Sequence, residues 1–210
     1  MSRVIAALVL VAAGALIGVA LAQQADDEPE VIAAPAAADD GATAADDGAY
    51  PSVDVVSVSE PPLLDKSPES LTDLDGWLQS DIASLDELEG QVVIVQFWTY
   101  SCRNCTATIP YLQALYERYQ DDGLEIVGVH SPEFDFEKDP ANVAEAAEEL
   151  GVTWPIALDT ERTNFREWQG RPAYWPRTYV LDERGRVRYN NLGEGAYDQL
   201  AETVAWLLAN

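Results

Sequence analysis

Residues 92–98, Val-Val-Ile-Val-Gln-Phe-Trp, are almost continuously apolar and β-branched, and the only two cysteines follow within seven residues, at Cys102 and Cys105. A run of that kind suits a central strand covered on both faces, so it demands packing layers above and below one sheet. After Cys105 the apolar positions Leu112, Leu115, Tyr116 and Tyr119 fall at helical spacing. The cysteines therefore sit where a core strand turns into a helix.

The remaining pattern builds around that unit. A second buried strand is expected at 124–129, and Asp139 then Pro140 open a helix through about Leu150, closed by Gly151. Residues 153–158 read as a short strand. Residues 177–181 and 187–190 flank Asp182-Glu183-Arg184-Gly185 as a hairpin, and 197–208 read as a last helix. Early strands separated by helices imply parallel pairing, while the hairpin adds an antiparallel edge. The predicted class is α/β, a mixed central sheet with helices on both faces.

Position dictates what the Cys102-Arg103-Asn104-Cys105 pair can do. A thiol at a helix N-terminus meets the positive end of the helix dipole and unpaired N–H groups, both of which favour thiolate. Arg103 adds a neighbouring positive charge. Thiolate is the form that attacks a disulfide, so Cys102 reads as nucleophile and Cys105, one turn inside the helix, as resolving thiol. A structural bridge closing so short a loop removes little unfolded-state entropy. Half a zinc site would need two further thiols or imidazoles, and the chain offers only His130. A copper or other metal carrier using Cys102, Cys105 and His130 stands as the alternative function, although two residues rather than three separate its cysteines.

The segment 97–105 with Thr108-Ile109-Pro110-Tyr111-Leu112 resembles the active-site region of TlpA-like thioredoxin-fold proteins, and most closely the thioredoxin-like domains of the DipZ type. The likeness continues through residues 128–134, Tyr174-Trp175-Pro176 and residues 193–198. It implies a thioredoxin fold with a TlpA-like helix-strand insertion. It also implies an exported or membrane-tethered oxidoreductase that works through a redox-active disulfide without another cofactor. Partners would be disulfide-bearing client proteins and a membrane-embedded thiol electron donor, commonly with reduction of the client. By the same resemblance Pro176 is the cis proline facing the cysteines, and Pro110 the proline that kinks the helix.

One departure shapes the mechanism. Ordinary thioredoxins carry a buried Asp six residues before the first Cys, and here that residue is Gln96, which cannot accept a catalytic proton. Related members carry a Glu after the next core strand, where Glu133 falls. Partly buried beside the sulfurs, it would have a raised pKa and could exchange a proton with Cys105; otherwise it is one more surface acid. Trp98 is expected beneath the active site, tuning redox poise. Tyr174 and Trp175 read equally as a client surface or as core. Arg103 favours thiolate and a more oxidising pair, whereas the resemblance favours reduction.

Ahead of this domain the chain changes character. Arg3, an apolar run over 4–19 and Ala20-Leu21-Ala22 read as an export signal cleaved before Gln23, or as an uncleaved anchor. The organisation is thus 1–22 signal peptide or membrane anchor, 23–70 disordered acidic linker with a short edge strand considered at 53–58, and 71–210 thioredoxin-like domain. The net charge of -25 excludes nucleic acid and anionic lipid as natural partners. Residues 76–210 alone hold 23 acids and 10 bases, which serves solubility through self-repulsion or meets a basic partner.

Overall fold

The computed structural model describes residues 59–64 and 70–210. The signal or anchor, most of the linker and the strand considered at 53–58 lie outside the described residues. Among the described residues no helix is long and apolar enough to cross a membrane.

Six strands form one sheet: β1 (Trp77–Leu78), β2 (Val92–Trp98), β3 (Leu124–His130), β4 (Ile156–Leu158), β5 (Arg177–Leu181) and β6 (Val187–Leu192), in the order β1-β4-β3-β2-β5-β6. Strands β2, β3 and β4 run parallel, and β5, β6 and β1 are antiparallel to their neighbours. Four helices cover it: α1 (Arg103–Tyr119), α2 (Pro140–Glu149), α3 (Thr163–Gln169) and α4 (Tyr197–Ala209). The mixed sheet with helices on both faces is the predicted α/β thioredoxin architecture, with α2 and β4 as the inserted helix and strand.

Strand alternation divides β2 between two cores. Val92, Ile94 and Trp98 pack with residues of α1, α2 and α4, including Ile109, Leu112, Val143 and Val204. Val93, Val95 and Phe97 face the opposite way, onto Phe165 and Trp168 of α3 together with Leu71 and Leu88. All seven residues of β2 are buried, as a doubly covered central strand requires.

Local chemistry sets the boundaries. The Asp139 carboxylate accepts the Ala141 N–H at 2.9 Å, Pro140 occupies the first turn of α2, and Gly151 beyond its end has a φ of 68°. In the hairpin Asp182 Oδ1 accepts the N–H groups of Arg184 and Arg186, and Gly185 has a φ of 70°. Helix α3 was not expected. Seven residues with Phe165 and Trp168 as its buried apolar side chains carry too little periodicity to be seen. Its first turn is capped from a distance by Asp159, which accepts from the N–H groups of Asn164 and Phe165.

Residues 59–64 correct the linker boundary. Leu64 N–H donates to the Val187 carbonyl at 3.0 Å, and the buried Arg188 guanidinium donates to the Pro61 carbonyl at 2.6 Å and pairs with Glu60 and Asp182. This segment lies against β6, held by a buried cation that needs those acceptors.

Gly128 on β3 is required by close approach rather than by backbone angle. A Cβ there would stand 2.9 Å from Trp98 Nε1 and 3.1 Å from Trp154 Nε1. Gly128→Ala is expected to destabilise the domain by about 1–3 kcal/mol through overpacking; a urea unfolding midpoint equal to wild type would contradict this contact.

Candidate active site

The site forms where β2 and β3 end side by side. Cys102 is the N-cap of α1, its N–H donates to the Thr99 carbonyl at 3.3 Å, and its own carbonyl accepts the Thr106 N–H at 3.0 Å. Both cysteines are free thiols, Cys102 half-buried and Cys105 fully buried. That difference separates them chemically. Cys102 is pulled down to about 6, first by a hydrogen bond from the Cys105 thiol; burial opposes this, the backbone N–H groups of Cys105 and Asn104 assist, and the Glu133 charge opposes. Cys105 is pushed far up, first by burial and then by the hydrogen bond it gives Cys102, with the Glu137 charge adding to the effect. Arg103, expected to favour the thiolate, is exposed and not among the principal causes.

Beneath the pair the side chains are uncharged, and the buried Trp98 Nε1 has no hydrogen-bond partner among the described residues. Gln96 Nε2 donates to Thr108 Oγ1 at 2.6 Å, and the Thr108 hydroxyl donates to the Cys105 carbonyl at 2.7 Å. Trp98 is buried in the same core as Cys105, as expected, and meets the His130 ring edge-on at 5.7 Å. His130 also stacks on Tyr100 at 5.6 Å, and burial pushes its pKa down to about 4 against the pull of Glu137.

Glu133 departs from expectation. It is exposed rather than partly buried beside the sulfurs. The buried carboxylate lies four residues later. Glu137 is fully buried: Oε1 accepts from Thr99 Oγ1 at 2.5 Å, Ser101 Oγ at 2.6 Å and Ser101 N at 3.3 Å, while Oε2 accepts from Glu133 N at 2.6 Å and Phe134 N at 2.8 Å. Burial alone would raise its pKa, but these hydrogen bonds outweigh burial and hold it below the ordinary value. Sequence reasoning missed this residue. The available signal was a Glu at the third position of the short turn Asp135–Lys138, from which a carboxylate reaches back to the N–H groups preceding the turn.

The Thr99 hydroxyl, having given its one proton to Glu137, must accept from His130 Nε2 across 3.3 Å. That leaves Nε2 protonated. Among the described residues no three His, Cys, Asp or Glu side chains converge to hold a metal ion, so the set Cys102, Cys105 and His130 is not assembled as a site.

Pro176 follows Trp175 through a cis peptide bond, as the resemblance implied, and Arg171–Pro172 is also cis. Trp175 is half-buried rather than a free platform. Its ring stacks on Phe165 at 4.1 Å and its Nε1 donates to the Ser131 carbonyl at 2.9 Å, whereas Tyr174 is exposed.

A family model described as AhpC/TSA family matches residues 70–190. The chain belongs to that family. It is 43% identical over 144 residues to Protein DipZ of Mycobacterium bovis, covering 67% of this chain and 20% of that protein. The chain thus spans about a fifth of the length of that relative. It is 30% identical over 141 residues to the thiol-disulfide oxidoreductase YkuV of Bacillus subtilis, covering 66% of this chain and 92% of that one. A thiol-disulfide isomerase from Corynebacterium glutamicum shares the fold with a TM-score of 0.61 at 22% identity, over 70% of this chain and 99% of that chain. The DipZ-type resemblance and the thioredoxin fold are both borne out for this AhpC/TSA-family domain.

Two measurements probe this geometry. Iodoacetamide labelling of the reduced protein should follow a single titration centred near pH 6 at Cys102, with Cys105 unlabelled below pH 9. Because the folded pKa of Cys102 lies below its unfolded value of 9.0, its thiolate stabilises the reduced fold fully above pH 9 and loses that contribution as pH falls through about 6. A midpoint above pH 8 would contradict the hydrogen-bond assignment. Glu137→Ala, which strands the buried Thr99 hydroxyl and unties two loops from each other, should destabilise the domain by roughly 1–3 kcal/mol in urea unfolding.

Proposed function

We propose that this chain is an extracytoplasmic thiol-disulfide oxidoreductase that reduces disulfides in client proteins. The observation that carries the reading is the contrast within the pair, a half-exposed thiol with a pKa near 6 hydrogen-bonded by a buried partner that stays protonated. Cys102 thiolate attacks one sulfur of a client disulfide; the client S–S bond breaks, a Cys102–client bond forms, and the departing client thiolate takes a proton from water. Cys105 then loses its proton and attacks Cys102 Sγ. The second client thiol leaves, and two electrons have passed to the client as the 102/105 disulfide forms. A membrane-embedded thiol donor restores the dithiol. Pro176 and Trp175 border the client-facing side, and Trp98 supports the pair from below.

Glu133 is the group proposed to carry the Cys105 proton to solvent. Its exposure and its charge acting on Cys102 support a place at the mouth of the site. The lowered Cys102 pKa stabilises the dithiol, which makes the couple a milder reductant than a pair of ordinary thiols. Export is supported by the apolar run over residues 4–19.

Equilibration of the protein against glutathione buffers should give a reversible two-electron couple, and Cys105→Ser should trap a Cys102 mixed disulfide with a peptide disulfide. No reversible couple would end this reading. Glu133→Gln should slow the resolving step near neutral pH; an unaltered pH-rate profile would remove Glu133 from proton transfer while leaving the exchange itself standing.

A further inference from the structure

The segment joining β3 to α2 holds apolar rings in water. Phe134 and Phe136 are 49% and 54% exposed, and their rings stack at 5.6 Å with 6° between the planes. The ring of Tyr100, two residues before Cys102, meets Phe136 edge-on at 6.1 Å. The aromatic surface therefore continues from the turn to the cysteine loop.

This exposure is built in. The N–H groups of Glu133 and Phe134 are tied to the Glu137 carboxylate, and Glu137 N–H donates to the Phe134 carbonyl at 3.1 Å. The Phe136 carbonyl accepts from Tyr100 Oη at 3.1 Å and from Asn142 Nδ2 at 2.8 Å. A turn held at so many points cannot fold its phenyl rings inward, and a rigid, preorganised apolar patch binds without the cost of ordering itself.

Charge defines the occupant. Glu133, Asp135 and Asp139 share the segment with one cation, Lys138, which is already paired to Asp135 at 2.8 Å. A second copy of this domain would bring 23 acids against 10 bases and be repelled. A segment carrying an apolar side chain beside a Lys or Arg is attracted by both parts of the surface.

We propose that Phe134, Phe136 and Tyr100 form a docking shelf for client segments whose disulfide cysteine is followed by an apolar or aromatic residue and a basic one. The inference rests on the exchange reading above and adds its specificity. Glu137 is the positioning residue that presents the shelf.

The test uses the full chain, reduced, with three disulfide peptides that differ after the cysteine, in Phe-Lys, Ser-Lys and Phe-Glu, and with hydroxyethyl disulfide, which is too small to reach the shelf. The Phe-Lys peptide should react with a second-order rate about tenfold above each of the others, the size expected for burying one aromatic side chain or gaining a favourable charge contact. Phe134→Ser combined with Phe136→Ser should bring the Phe-Lys to Ser-Lys ratio close to unity. Equal rates for the three peptides with the wild-type chain would overturn the shelf, whatever the variant's stability; a variant that keeps the wild-type ratio would overturn its location. A concentration-dependent dimer in sedimentation that the double variant abolishes would overturn it in favour of self-association. Failure of the underlying reading looks different, since hydroxyethyl disulfide would then not react at all.

Discussion

The site depends on one buried carboxylate. Glu137 gathers five donors from two separate stretches of chain, the loop entering Cys102 and the turn leaving β3. A buried carboxylate is costly unless it is hydrogen-bonded, and the buried Thr99 hydroxyl would lose its acceptor without it. The two stretches consequently hold each other. The orientation of Ser101, the register of Cys102 at the head of α1, and the outward set of Phe134 and Phe136 all follow from that mutual requirement.

A second buried carboxylate does related work on the opposite side. Asp159 accepts from Ser131 Oγ at 2.9 Å and caps the start of α3 through Asn164 and Phe165. The Ser131 carbonyl in turn accepts from Nε1 of Trp175, whose ring lies on Phe165 and whose next residue is Pro176. Glu137 thus fixes the cysteine side of the site and Asp159 the proline side, and both act on residues that follow the end of β3. Rigid strands carry the two halves, and polar contacts at their ends set the geometry.

What could be read beforehand was what repeats or what is rare. The doubly apolar run of β2, the capping pair Asp139 and Pro140, the turn around Gly185 and the isolated pair Cys102 and Cys105 each carry a local signal with a physical cause. Helix α3 and strand β1 carry none, since seven and two residues cannot display a period. Glu137 was hidden differently. It stands among Glu133, Asp135 and Asp139, and its one local signal, the third position of the turn Asp135–Lys138, marks a cap and not burial; the burial arises with Thr99 and Ser101, more than 30 residues away. Placing the burial at Glu133 followed the family's pattern, and the turn Asp135–Lys138 moved it one turn further along.

That shift bears on how Cys105 can lose its proton. The polar side chain beneath it, Gln96, is an amide occupied with Thr108, and an amide is no base at neutral pH. The carboxylate whose charge reaches it, Glu137, already spends both oxygens on five donors, and protonating it would break contacts that hold two loops. Neither inner group is free to act. Its fixed charge also opposes a thiolate at Cys105, so the dithiol keeps its proton inside until Cys102 has formed a bond elsewhere. In the exchange proposed above, once Cys102 is bound to another sulfur it no longer takes the hydrogen bond from Cys105, and Glu133, exposed and with its charge acting on Cys102, is the acid proposed to receive the proton. The timing of the proposed second step is then set by the first, because the hydrogen bond that helps hold the Cys105 proton is lost when Cys102 reacts.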